Sequence, residues 1–150
     1  LATVMRTWTA TTTVEAPPET VLDVLTDPRA CARWAPIDFD VDDLVGRRLV
    51  AGSRPRLRGR LAGVEVGFDV EVLEADAHRL ALRADGPVAM DVRYDLHAAA
   101  GGSEVVASVG VRPGRGFRGR ILAEATSALL SAGALNQALS RIAGECVATA

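Results

Sequence analysis

The sequence predicts an α+β protein: a mostly antiparallel sheet of about seven strands with one face packed on a long C-terminal helix. Three observations carry this. Segment after segment alternates apolar and polar residues at a period of two, each with one apolar face, as expected of an antiparallel sheet solvated on one side. The segments are joined mainly by short Gly-, Pro- and Asp-containing turns suited to hairpins. The last thirty-odd residues, Phe117 to Ala150, change to a helical period.

Taken in order, Arg6 to Glu15 is the first strand. Trp8, Ala10, Thr12 and Val14 face one way, and Thr7, Thr9, Thr11, Thr13 and Glu15 the other. Its β-branched threonines favour extended backbone. Ala16-Pro17-Pro18 stops it and starts a helix with Val21, Leu22, Val24 and Leu25 on its apolar side. Asp27 is a good N-cap and Pro28 a good first residue for a second, short helix that Trp34-Ala35-Pro36 ends. Ile37 to Val41 alternates again, and Gly46 lies in a turn.

Arg54 to Leu61 and Val64 to Val72 form a hairpin around Ala62-Gly63. Arg54, Arg56, Arg58 and Arg60 share a face with Glu65, Asp69 and Glu71, so they are natural cross-strand partners. Three more strands follow, separated by Asp85-Gly86-Pro87 and Gly101-Gly102. Their inward residues are Leu80, Leu82 and Ala84, then Val88, Met90, Val92, Tyr94 and Leu96, then Val105, Ala107, Val109 and Val111. Pro113-Gly114 ends the last.

Projected at 100° per residue as one continuous helix, the C-terminal segment places Ile121, Ala125, Ala128, Ala132, Leu135, Leu139, Ile142 and Cys146 on a single stripe. Leu129 and Asn136 border it; Arg120, Ser127, Ser131, Arg141 and Glu145 fall opposite. Alanines in the middle of the stripe leave room for a space between helix and sheet. A break near Gly133 is the expected deviation, because an interior glycine costs about 1 kcal/mol relative to alanine.

Composition narrows the function. The 150 residues suit one domain with a sizeable core. No apolar run reaches a membrane span and no signal-peptide pattern opens the chain, so the expectation is a cytoplasmic protein. All 17 basic residues are arginine, which excludes Schiff-base chemistry from a lysine. The abundance of Ala, Arg, Gly and Val suggests a high-GC bacterial source. Net charge is −2 and only mildly polarised, too weak for a nucleic-acid binder. Cys31 and Cys146 are expected as buried free thiols.

Four stretches carry a resemblance. "VEAPPETVLDVLTDPRACARW" at 14–34, "RLVAGSRPRLRG" at 48–59, "VLEADAHRLALRADGP" at 72–87 and "GFRGRILAEATSALLSAGALNQALSRIAGE" at 116–145 resemble, in order and spacing, the polyketide cyclase/dehydrase-like branch of the START-like, or SRPBCC, superfamily. The resemblance implies a helix-grip fold, with a seven-stranded sheet curled around the C-terminal helix, two short helices after the first strand, and a cavity for an apolar ligand. Members include lipid and hormone carriers, polyketide aromatase/cyclases and accessory subunits, so the fold does not by itself fix the function.

The inward faces contain no Asp, Glu, His or Arg. The candidate ligand contacts are Trp8, Thr12, Trp34, Phe39, Leu57, Phe68, Val70, Leu82, Met90 and Tyr94, with Ala125, Ala128, Leu129, Ala132 and Asn136 from the helix opposite. Only Thr12, Tyr94 and Asn136 add hydrogen-bonding groups within the sheet and helix stripe. That pattern suits binding of a lipid, quinone or polyketide-like molecule. In the alternative, an aromatase/cyclase would use the same cavity to position a poly-β-ketone, with Tyr94 or Asn136 polarising a carbonyl. In a third reading the chain is an interaction subunit with a vestigial cavity.

No catalytic residue, cofactor or metal is assigned. Asp38, Asp40, Asp42 and Asp43 resemble the start of a calcium loop, but Asp43 stands where glycine is needed and Leu49 where the closing Glu belongs. His78 and His97 are too few for zinc. Arg112, Arg115, Arg118 and Arg120 crowd the start of the long helix and form a candidate dock for a phosphate, an acidic carrier protein or a lipid headgroup.

Overall fold

A computed structural model describes residues 6–35, 39–42, 48–61, 63–113 and 116–149. The expected turn at Gly46 and the positions Ile37, Asp38, Asp43, Ala62, Gly114 and Arg115 lie outside these residues. Among the described residues the elements are β1 (Arg6–Val14), α1 (Pro18–Thr26), α2 (Pro28–Trp34), β2 (Phe39–Asp42), β3 (Arg56–Leu61), β4 (Val64–Ala75), β5 (Arg79–Asp85), β6 (Val88–Ala99), β7 (Gly102–Pro113), α3 (Gly116–Ser131) and α4 (Ala134–Thr149).

The strands form one antiparallel sheet in the order β1-β7-β6-β5-β4-β3-β2. Consecutive strands β2 to β7 are neighbours, and only β1 crosses over, to pair with β7. Alternation sets the register: the inward residues Leu80 and Ala84 of β5, Val88, Tyr94 and Leu96 of β6, and Val105, Ala107, Val109 and Val111 of β7 are all buried. A one-residue bulge between Val72 and Glu74 bends β4 and leaves Leu73 on the surface.

Outside, the arginine-rich strands pair as the sequence predicts. Arg54 meets Glu71 at 3.2 Å, Arg56 meets Asp69 at 3.6 Å and Arg60 meets Glu65 at 3.9 Å. These exposed pairs are worth about 0–1 kcal/mol each.

The two short helices follow their stop signals. Pro17 and Pro18 open α1, and the Asp27 carboxylate accepts a hydrogen bond from the Arg29 N–H at 3.0 Å to cap α2. Both helices pack on α4. Arg33 bonds Glu145 at 3.0 Å, and Arg141 donates to the Ala35 carbonyl at 3.2 Å. At the other end of the sheet the backbone itself packs closely. The Ser103 hydroxyl donates to the Ala16 carbonyl at 2.6 Å, and a side chain at Gly102 would collide with the Val14 carbonyl.

The C-terminal segment is two helices, which corrects the single-helix projection. Gly133 adopts φ +98° and ends the first of them. The stripe holds only in α4, where Leu135, Leu139, Ile142 and Cys146 are buried. In α3 the buried residues are Gly119, Leu122, Ala123, Thr126 and Ser127, whereas Ile121, Ala128 and Ala132 are exposed and Ala125 is half-buried. Ser127, placed outward by the projection, is inside, and Asn136 is exposed. The physical reason is phase: once Gly133 turns the chain, the rotation of α3 no longer follows from that of α4. Small residues let α3 sit close to β6 and β7, and the Thr126 hydroxyl satisfies itself on the Leu122 carbonyl at 2.8 Å.

A Cβ at Gly133 would meet no atom within 4 Å, so substitution there is a test of backbone strain alone. Gly133→Ala should cost about 1–2 kcal/mol in chemical denaturation. An unchanged or raised stability would mean that the chain can straighten into one helix.

Candidate functional site

Curvature of the sheet and the turn at Gly133 leave a space over half of the sheet's inner face. Because α4 packs directly on β1, that end of the inner face is closed. The inner faces of β3 to β6 are not covered the same way. There α2, the C-terminal end of α3 and the start of α4 enclose a cavity of about 250 Å³. Its wall is almost wholly apolar, with Leu57, Phe68, Val70, Leu80, Leu82, Met90 and Val92 from the sheet and Leu129, Leu130, Leu135 and Ala138 from the helices.

Of the sequence candidates, Trp34, Leu57, Phe68, Val70, Leu82, Met90, Tyr94 and Leu129 line this cavity. Trp8 and Thr12 do not: they lie on β1, the strand that α4 covers, and the Trp8 indole N–H donates to the Ser131 hydroxyl at 3.3 Å. Ala125, Ala128, Ala132 and Asn136 also lie off the wall, for the reason of phase given above. Phe39 opens β2, and its side chain is outside the described residues.

Sequence reasoning missed Pro28, Cys31, Leu49, Pro55, Leu80, Val92, Thr126, Leu130, Leu135 and Ala138, among others. Cys31 precedes Trp34 by three residues, a spacing that puts both on one helix face and could have revealed it. Leu80 and Val92 were assigned to the inward faces but not to the site. Pro55 falls on the apolar face of the expected Arg54–Leu61 strand but was likewise not assigned to the site, and Leu49 comes from irregular backbone, where no period signals which way a side chain points.

The polar groups of the wall are few and largely committed. Tyr94 holds the Trp34 ring edge-on, with centroids 6.1 Å apart at 80°. Burial raises the Tyr94 phenol well above its ordinary value, so it remains protonated and can act only as a hydrogen-bonding group near neutral pH. Burial, helped by the Asp27 carboxylate, pushes the Cys31 thiol up to about 12. Its S–H donates to the Leu25 carbonyl at 3.3 Å, and it is not a nucleophile at neutral pH. The buried Trp34 N–H has no hydrogen-bond partner among the described residues.

Of the four arginines around the start of α3, two are engaged among the described residues. Arg112 bonds Asp91 at 3.2 Å, and Arg118 donates to the Glu65 carbonyl at 2.9 Å. Arg120 is exposed, and Arg115 is outside the described residues. Among the described residues no three His, Cys, Asp or Glu side chains cluster as metal ligands, and no helix is long and apolar enough to cross a membrane.

A family model described as "Polyketide cyclase / dehydrase and lipid transport" matches residues 5–143. The chain belongs to that family. Solved structures agree on the fold. A Thermus thermophilus protein matches with TM-score 0.73 at 17% identity, covering 97% of this chain and 99% of its own. The Zhui aromatase/cyclase from Streptomyces sp. R1128 matches with TM-score 0.70 at 20% identity, covering 95% and 94%. A Chromobacterium violaceum protein matches with TM-score 0.66 at 19% identity, covering 93% and 96%. At these identities the likeness is one of fold. No functionally curated protein matches the sequence.

The raised thiol has a consequence for stability. Above the ordinary value of 9.0 the unfolded chain loses a proton that folded Cys31 keeps until about 12. The folded state then binds more protons, so stability falls as pH rises through this window. Melting temperature should decline from about pH 9 upward, and more shallowly in Cys31→Ala. Parallel pH profiles of the two proteins would refute a protonated, buried Cys31.

Proposed function

We propose that the chain works as one ligand-binding unit that holds an apolar small molecule in the cavity between its sheet and its C-terminal helices. The observation that carries this reading is the wall itself: some 250 Å³ of space with no carboxylate, imidazole or guanidinium among the described residues that line it. An apolar cavity of about 150 Å³ accepts benzene, so this one has room for roughly ten non-hydrogen atoms. A quinone ring, a short acyl segment or part of a polyketide chain meets that limit. The family's description, with its two themes of cyclisation and lipid transport, supports the same chemical class of ligand.

Tyr94 favours keeping the cyclase as a second reading. A protonated phenol in an apolar wall can donate to a ketone oxygen and stabilise the charge that develops when a poly-β-ketone enolises. Positioning would supply the rest. With Cys31 also protonated, the described lining residues include no group suited to act as a general base near neutral pH. The likeness to an aromatase/cyclase supports the shape of this idea and not its chemistry.

Filling the cavity tests the leading reading. Ala138 is buried on α4 and faces the space. Ala138→Phe should weaken binding of an apolar fluorescent probe by about tenfold or more, while stability changes by less than the roughly 1–3 kcal/mol of an overpacked core. Probe binding that survives the substitution would place the ligand elsewhere. A loss of about 3 kcal/mol with no probe bound by the wild type would mean that the space is not used.

Tyr94→Phe separates the two readings. A carrier should bind the probe as before, whereas a cyclase should lose about a hundredfold in turnover of a poly-β-ketone substrate. Unchanged turnover would remove the phenol from the chemistry.

A further inference from the structure

Helix α3 is apolar on two faces, with Leu122 and Ala123 buried and a second apolar strip left outside. Its buried face includes Gly119, Thr126 and Ser127, while Phe117 and Ile121, one turn apart, point outward at 78% and 50% exposure. Ala128 and Ala132 continue the same outward strip toward Gly133, and Leu129 at its margin is 40% exposed. A helix that keeps Phe117 and Ile121 in water while Thr126 and Ser127 are buried has an outward face shaped for something other than water.

Charge and position narrow what that is. Arg118 and Arg120 flank Phe117 and Ile121 and are both exposed. Arg118 donates to a neutral carbonyl and no ion pair to it is seen among the described residues, whereas Glu124 on the same strip is paired with Arg6 at 3.5 Å. The strip is therefore apolar with a cationic end. It is narrow: three large side chains fall well short of the roughly 800 Å² per partner that a stable protein interface buries. Shallow insertion into an anionic bilayer surface needs no more than a few apolar side chains with arginines at headgroup depth.

We infer that the outward face of α3 docks on an anionic lipid surface. Phe117 and Ile121 enter the acyl boundary, and Arg118 and Arg120 meet the phosphates. Leu129 lies beside this strip and also lines the cavity. Docking thus brings the wall of the cavity to the membrane, and an apolar ligand could pass between the two without crossing bulk water. That transfer rests on the apolar-ligand reading above; the docking does not.

Sedimentation with vesicles tests it, using the whole chain without ligand. Vesicles of phosphatidylcholine with about one-third phosphatidylglycerol should carry the protein down, and vesicles of phosphatidylcholine alone should not. Phe117→Ser with Ile121→Ser should weaken this binding about tenfold or more, and Arg120→Glu should weaken it as high salt does. All three positions are exposed, so circular dichroism and melting should match the wild type. Wild-type protein that ignores both vesicles, binds both equally, or binds anionic vesicles undiminished in the variants overturns the inference. A dimer seen by light scattering that the serine variants dissolve, without vesicle binding, would identify a second copy as the occupant instead. Because the apolar-probe assay contains no vesicles, failure of the ligand reading and failure of docking give separate results.

Discussion

The left-handed turn at Gly133 is the constraint on which the rest of the C-terminal architecture depends. It divides the segment into two helices that do different work. Helix α4 is conventional, with Leu135, Leu139, Ile142 and Cys146 packed inward and α1 and α2 fastened against it. Helix α3 is freed from that phase and lies close to β6 and β7 through small residues. The cavity persists because neither helix fills the curved inner face of β3 to β6. A single straight helix would carry the alanines over the sheet and define a differently placed space.

Charge is segregated with equal consistency. Arg54, Arg56, Arg79, Arg83 and Arg93 meet their acids on the solvated side of the sheet, and the cavity wall receives none of them. Interiors that desolvate an unpaired charge suffer several kcal/mol, so this segregation is what permits an apolar cavity to coexist with a quarter of the residues charged. The same desolvation that keeps charges out raises Cys31 and Tyr94. One physical cause thus accounts both for the chemistry the wall lacks and for the protonation of what it holds.

Much of the fold was legible because a strand reports its own orientation. Tyr94 and Leu96 are inward for the same local reason that Arg93 and Asp95 are not, and no distant residue needs to be known. Helix orientation is less local. Leu139 could be placed because its face is rich in large apolar residues, but Ile121 could not, because its phase was borrowed across Gly133. The glycine was visible as a point where the helix could break; the angle it would impose was not. Trp34 and Tyr94, expected at the cavity from their elements, do line it, whereas Leu49 reaches the wall from irregular backbone that carries no period. Trp8 shows the remaining gap: an inward face predicts burial, but only the packing of α4 on β1 shows that burial there is not at the cavity.

The size and composition of the cavity also bound how tightly it can hold anything. Roughly ten apolar groups at about 0.8 kcal/mol each give a gross gain near 8 kcal/mol. Even the low end of the rigid-body cost, about 4 kcal/mol, halves it. The remainder corresponds to a dissociation constant of about a millimolar. A wall with few polar anchors adds little to that, and apolar contacts discriminate poorly, since one methylene changes affinity by only about 1–3 kcal/mol. Physics therefore favours brief, permissive occupancy over storage. An accepting oxygen on the ligand, if it reached the phenol of Tyr94, would be the cheapest route to both affinity and selectivity, because it would add a directed bond of about 1 kcal/mol where the rest of the surface offers none.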